Sequence, residues 1–280
     1  MDKFPISPEK WAAKFEVIQA DRTSGLTSAT PPLFFLHAGQ PGSGKTVLND
    51  QVADQLAGNL LECNADTLRN EHPDIELILQ EPEDDYPDLT WQAANSWNNA
   101  LIETGVTRRY NLLIETTLRN ADQALETLAR MKANGYITHL HVLVVPYWLS
   151  WVGIHIRFEG YKALKGFARA VSEADHDDRF ARLPETLPIV LKSPHLDKAI
   201  LYQRQLLLPP PKPPTVEIVT ETKENIVEAF RDIRNKPMDE QAEALFNHYC
   251  TRIVQYMEDR DAGRTHIEAF QGKASRLALK

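Results

Sequence analysis

The chain has 280 residues, 42% apolar and 25% charged, a balance that fits a soluble globular protein with room for one large domain and an appendage. Its net charge of −8, with Lys and Arg spread along the chain, gives no nucleic-acid footprint. No apolar run approaches a membrane span and the N-terminus "MDKFPISPEKWAAK" has no signal-peptide core, so a cytoplasmic location is expected, with no membrane or nucleic-acid partner.

The elements are predicted in chain order. Ser7-Pro8-Glu9 reads as an N-cap followed by proline at the first helical position, and Trp11, Phe15 and Ile18 give that helix one apolar face. "LFFLHA" (33–38) reads as a buried parallel strand. A helix from about Lys45 to Ala57, a strand at "NLLEC", a helix around "LTWQAANSWNNALIETG" and a strand at "YNLLIETT" follow. Then come a helix capped by Asn120 and stopped at Gly135, a strand at "HLHVLVVP", one long helical stretch from about Leu149 to Val190, and a strand at "AILYQR". Strand alternating with helix implies an α/β fold, a parallel sheet with helices on both faces. "LLLPPPKPP" cannot continue a helix or a central strand, so the chain divides into 1–206, a proline-rich linker at 207–214, and a mainly helical appendage at 215–280 that opens with a short strand, "TVEIVT". In the appendage an apolar stripe of Ala244, Leu245, Tyr249, Ile253, Tyr256 and Met257 marks a packing face.

The chemistry concentrates after the first strand. Gly39-x-x-x-x-Gly44-Lys45-Thr46, between a strand and a helix, is the full P-loop pattern. In Gly39, Gln40, Pro41, Gly42, Ser43 and Gly44 the glycines let the backbone N–H groups curl toward phosphate oxygens, and the following helix adds its positive end. Lys45 reaches the β- and γ-phosphates and Thr46 offers its hydroxyl to Mg²⁺, so ATP or GTP with Mg²⁺ is the expected cofactor. Asp66 lies just past the second strand, on the edge where such sheets bind ligands. On position alone it serves equally well as a magnesium or proton acceptor, or as the N-cap of the next helix. His139 and His141 share one strand face; two ligands do not make a zinc site, and a structural pair is expected. Cys63 and Cys250 match no ligand spacing and read as buried, reduced thiols.

"GQPGSGK", then "ADTLRNEHP", then "LLIETTLR" resemble the zeta toxins, P-loop small-molecule kinases of bacterial toxin–antitoxin systems. The D-x-x-R-x-x-H-P run from Asp66 to Pro73 is the most specific of the three, and the resemblance extends to about Arg204. It implies a P-loop kinase-like fold with a helical lid, Asp66 as the base that takes a proton from a sugar hydroxyl, and Glu115, Thr116 and Arg119 lining the substrate pocket. Family members carry two arginines on the lid that grip the triphosphate; Arg157 and Arg169, twelve apart, match that spacing, and His176-Asp177 matches a pair that follows. Where members with sugar-nucleotide activity carry a glutamate, this sequence has Asn99, which can hydrogen-bond a hydroxyl but carries no charge; Glu103, one turn on, is the candidate substitute. The implied function is transfer of the γ-phosphate of ATP or GTP to a small acceptor, first UDP-N-acetylglucosamine and otherwise a nucleoside or dinucleotide, with a small antitoxin protein as partner. A nucleotide-dependent regulatory module is the contrasting reading, and Asp66 together with paired arginines argues against it.

Overall fold

The computed structural model describes residues 3–168, 170–210 and 214–278. Six strands form one sheet: β1 (Leu33–Ala38), β2 (Leu61–Cys63), β3 (Leu112–Thr116), β4 (Ile137–Val144), β5 (Lys198–Arg204) and β6 (Val216–Thr220). Their spatial order is β2-β3-β1-β4-β5-β6; the first five are parallel and β6 runs antiparallel to β5. Among the described residues ten α-helices surround it: α1 (Pro8–Arg22), α2 (Lys45–Gln55), α3 (Ile75–Ile78), α4 (Tyr86–Arg108), α5 (Ala121–Ala133), α6 (Tyr147–Lys165), α7 (Glu173–Leu191), α8 (Lys223–Arg234), α9 (Glu240–Asp259) and α10 (Arg264–Ala278).

Period-two alternation in β1 assigns its faces. Phe34, Leu36 and Ala38 join the main core with Trp97 and Leu101 of α4, Leu128 and Met131 of α5, Leu183 and Leu187 of α7, and Ile226 and Phe230 of α8. Phe35 points the other way and packs with Leu113 and with Val52 of α2. The capping signals act as the sequence predicts: the Ser7 side chain accepts from the Lys10 N–H and the Asn120 side chain from the N–H groups of Asp122 and Gln123.

Two expectations change. The single helical stretch from Leu149 to Val190 is two helices, because Gly166 at φ 73° takes the left-handed conformation that ends α6, and Ser172 caps α7. Helix α7 then runs through Pro184 and Pro188. Pro184 cannot donate to the Phe180 carbonyl, and Arg234 Nη1 of α8 fills that acceptor at 2.7 Å.

The proline run also fails to separate two cores. Strand β6 extends the sheet, and Ile226 and Phe230 of α8 are buried within the main core. Only α9 and α10 build something apart. With Trp148, Leu149, Trp151 and Val152 of α6 they form a second core around Phe246, Ile253, Met257 and Phe270. Beside it Glu159 of α6, fully buried, is paired with Arg260, and Glu173 of α7 with Lys273 at 2.6 Å.

Candidate active site

The loop between β1 and α2 takes its shape from glycine. Gly42 and Gly44 hold φ of 76° and 101°, where a side chain is strained. A Cβ on Gly42 would lie 2.2 Å from the Ser150 carbonyl oxygen of α6, and one on Gly153 would lie 2.2 Å from the Gly42 oxygen. Loop and lid helix therefore touch backbone to backbone. Gln40 Nε2 donates to the Val145 carbonyl at 2.9 Å and anchors the loop to the end of β4. Lys45 Nζ folds back onto the carbonyls of Gly39 and Gln40 at 2.8 and 3.2 Å. The Ser43 hydroxyl is buried without a partner, and Thr46 is exposed at the start of α2. This donor set fits a triphosphate: backbone amides at the start of α2, one ammonium, and a hydroxyl open to a magnesium ion.

Four further charged groups reach Lys45. Burial pulls its ammonium below the ordinary lysine range; Glu115 and Asp66 oppose that pull, while Arg157 and Arg179 add to it. The group comes from five places in the chain: α2, the end of β3, the turn after β2, α6 and α7. Arg157 stands one helical turn beyond Gly153, so the close glycine contact sets its height above the loop.

Asp66 sits in a 3₁₀ helix spanning Ala65–Glu71. The cap of that helix is Asn64, whose Oδ1 accepts from the Asp66 N–H at 2.9 Å. The capping task is thus taken, and the Asp66 carboxylate faces Arg69, whose Nε donates to Oδ1 at 3.0 Å. Arg69, only 4% exposed, donates in turn to Thr90 Oγ1 at 2.9 Å and to the Pro87 carbonyl at 2.6 Å, and it stacks over Trp91.

Glu115 is held by amides. Its Oε1 accepts from Asn49 Nδ2 at 2.7 Å and from Asn64 Nδ2 at 3.1 Å. With its amide nitrogen committed to Glu115, Asn49 presents Oδ1 to His37 Nδ1 at 2.8 Å, so His37 carries its proton on Nδ1. His37 is fully buried, its Nε2 has no partner, and burial holds its pKa down at about 4. It stacks on His141 at 5.0 Å between ring centres, and His139 lies beside them against Phe35. Among the described residues no cluster of three acidic, histidine or cysteine side chains could hold a metal. Cys63 and Cys250 are free, and burial pushes both up to about 12.

The other predicted residues divide. Thr116 Oγ1 accepts from the Leu118 N–H at 3.0 Å, which shapes the turn after β3. Arg119 is half exposed and ion-paired with Asp178 of α7 at 2.9 Å. Arg157 is exposed, and Arg169 lies outside the described residues. Asn99 points to solvent from α4 with no hydrogen bond to the site among the described residues, while Asn98, one position earlier, turns inward with a buried, unpartnered Oδ1. Glu103 does not reach the site either; it pairs with Arg130 at 2.6 Å. Sequence reasoning missed Arg179, three residues beyond His176, and the Asn49–Glu115–Asn64 bracket. The His176-Asp177 pair fastens α7 to the lid helix: His176 Nε2 meets Ser150 Oγ at 2.9 Å and Asp177 Oδ1 accepts from Tyr147 at 2.8 Å.

The zeta toxin family profile matches residues 18–206, more than half of the chain. The chain belongs to the zeta toxin family. Its relatives include the toxin zeta of Enterococcus hirae, 31% identical over 65% of this chain and 64% of that protein, and the toxin zeta of Streptococcus pyogenes, 31% identical over 65% and 63%. Toxin PezT of Streptococcus pneumoniae is 30% identical over 65% of this chain and 72% of its own length. The chain thus spans less than two thirds of the first two relatives. Among solved structures it is similar to a chain of the PezAT chromosomal toxin–antitoxin system of Streptococcus pneumoniae, with a TM-score of 0.77 at 21% identity, covering 92% of this chain and all of that one. It also resembles AvrRxo1-ORF1:AvrRxo1-ORF2 structures, among them one with ATP, with a TM-score of 0.53 at 12% identity over 96% and 92% of the chains. The fold of this zeta toxin family member is therefore P-loop kinase-like. No described helix is long and apolar enough to cross a membrane.

Proposed function

We propose that this zeta toxin family member is a phosphotransferase that moves the γ-phosphate of ATP or GTP to a hydroxyl of a small acceptor, acting as the toxin of a toxin–antitoxin pair. One observation carries the reading: the Lys45 ammonium lies within electrostatic reach of a carboxylate pair, Asp66 and Glu115, and an arginine pair, Arg157 and Arg179. A switch protein needs the loop; it has no use for a carboxylate at the strand end and two lid cations aimed at the same point.

The loop amides of 39–44 and Lys45 would hold the triphosphate, and Thr46 would ligate Mg²⁺, which neutralises phosphate charge when bound. Asp66 takes the proton of the attacking hydroxyl; Arg69 orients its carboxylate. Glu115, fixed by Asn49 and Asn64, accepts a hydrogen bond from the acceptor. Arg157 and Arg179, with Arg169 as the family spacing suggests, offset the charge on the transferring group. Thr116 and Arg119 line the acceptor side, and Asn99 is the α4 contact implied by the family pattern. The ATP-containing structural neighbour supports ATP as donor, and the complexes named for the neighbours support a protein antitoxin as partner.

UDP-N-acetylglucosamine is the first acceptor to test. Incubated with the full chain, ATP and Mg²⁺, it should gain one phosphate by mass spectrometry. A second acceptor class, a nucleoside or dinucleotide, is favoured by one feature: α4 sends no carboxylate to the site, since Asn99 is exposed and Glu103 is tied to Arg130. Phosphorylation of another hydroxyl compound from a metabolite pool, with UDP-N-acetylglucosamine untouched, would move the assignment there. Nucleotide binding with no phosphorylated product would return the chain to the regulatory reading.

A further inference from the structure

Arg204, the last residue of β5, sits at the mouth of the phosphate loop. A Cβ built on Gly44 would meet Arg204 Cδ at 3.4 Å and Nε at 4.0 Å. Gly44 immediately precedes α2, so the guanidinium stem lies against the positive end of that helix. A cation placed there meets repulsion from the helix end. Repulsion of that kind is normally offset by a carboxylate, yet among the described residues Arg204 makes no ion pair. Its Nε is buried with no hydrogen-bond partner. Among the described residues its side-chain hydrogen bond runs from Nη2 to the Tyr249 hydroxyl at 2.9 Å, with its guanidinium over the same ring at 6.0 Å. Tyr249 belongs to α9, beyond the residues that the family profile matches.

A buried N–H without an acceptor costs about 1–3 kcal/mol, more on a charged group. An anion bound at Gly44 would remove that cost and the repulsion together. We infer that Arg204 contacts a phosphate of the nucleotide held by the loop, and that Tyr249 of α9 orients it. The inference rests on the nucleotide reading of the site and deepens it: the C-terminal helices then complete the donor pocket. Arg204 adds a second cation to the loop, on the β5 side, while Arg157 and Arg179 approach from the lid. Tyr249 is a positioning residue, since it acts only through Arg204.

The test is equilibrium binding of a non-hydrolysable ATP analogue with Mg²⁺ by calorimetry, on the full chain, at several salt concentrations. Arg204→Gln keeps the stem and a donor but removes the charge; it should weaken binding roughly tenfold, as loss of a charge-assisted hydrogen bond does, and flatten the salt dependence, with the melting temperature of the free chain unchanged. Arg204→Lys should recover part of the affinity. Tyr249→Phe, which keeps the ring, should lose a few-fold with the salt dependence intact. Wild-type affinity and salt dependence in Arg204→Gln would overturn the inference alone. A wild-type chain that binds no nucleotide would overturn the kinase reading first. If Arg204→Gln melts early, the Lys variant decides: affinity above that of Gln with the salt dependence restored supports the contact, because the charge is retained, whereas the same loss as in Gln would show a packing role and overturn it.

Discussion

The sheet body and the lid unit hold their charged groups in opposite ways. In the body each functional side chain is fixed by short neutral donors or by one buried partner: Glu115 by Asn49 and Asn64, Asp66 by Arg69, and Arg69 by Thr90 and the Pro87 carbonyl. In the lid unit the groups aimed at the loop are exposed, as Arg157 is, or sit in loose surface pairs, as Arg179 does with Asp175 at 3.6 Å. Surface pairs of that kind contribute about 0–1 kcal/mol, so in the proposed function the lid arginines would exchange partners cheaply for phosphate. On the proposed reading the body is preorganised for nucleotide, while the lid is positioned as a helix with Arg157 exposed on it. The lid helix itself is rigid, because α9 and α10 build a separate core against it and Gly42 touches Gly153.

Ending the chain just before Thr215 should have the largest effect of any change. It takes away β6, Ile226 and Phe230 of the main core and the whole partner surface of Trp148 and Trp151. Each large core side chain contributes about 2–5 kcal/mol, against a total stability of about 5–15 kcal/mol. The expected result is an insoluble or non-cooperatively melting product; a soluble truncation with a sharp melt would show that the body stands without the lid unit's supports. Next, Lys45→Ala should lower phosphoryl transfer by about 10³-fold or more, since it removes the loop's ammonium from the transferring phosphate; a turnover assay giving wild-type rates would break the site assignment.

Asp66→Asn should cut turnover by about 10²-fold or more while leaving nucleotide affinity and melting temperature near wild type. Asn64, not Asp66, caps the 3₁₀ helix, and an asparagine Oδ1 can still accept from Arg69 Nε, so stability should fall little. A variant that melted early but kept its rate would make Asp66 a structural residue. At the junction, Gly153→Ala should lower stability by about 1–3 kcal/mol, because the added carbon meets the Gly42 oxygen at 2.2 Å. Gly160→Ala on the same helix meets only the Tyr256 ring at 3.4 Å and should cost less. Equal melting temperatures for the two would remove the glycine contact from the account.

How the sequence relates to this division is uneven. The loop, β1, β3 and the Asn120 cap were legible because each depends on a few adjacent residues. The proline run was misleading as a boundary, because β6 returns across it to pair with β5, a contact that local pattern does not encode. The family pattern points to Asn99, but one residue step turns a helix side chain by about 100°, and the structure leaves Asn99 exposed and turns Asn98 inward. Arg179 stayed hidden because its direction depends on the break at Gly166 that separates α7 from α6. His37 read only as part of an apolar strand; its role as the end of the Asn49–Glu115 chain needs the β1–β3 register, which pairs His37 with Glu115.

That buried histidine gives an effect that appears only in acid and is absent at neutral pH. Its pKa is near 4 in the fold and 6.5 when unfolded, so the unfolded chain binds the extra proton first. Its contribution is therefore complete above pH 6.5 and is lost as the pH falls from 6.5 toward 4, by about 3 kcal/mol in all. Melting temperatures across that range should fall with acid, and less steeply in His37→Asn; identical slopes would place the acid sensitivity elsewhere.

The most direct test of the central claim, that body and lid converge to transfer phosphate rather than to sense nucleotide, is label transfer from γ-labelled ATP in a metabolite extract with Mg²⁺. The wild-type chain should move label to a small hydroxyl compound, and Asp66→Asn should bind the nucleotide without doing so. Label that remains on ATP, or appears only as inorganic phosphate, with wild-type chain that binds nucleotide tightly, would contradict the account.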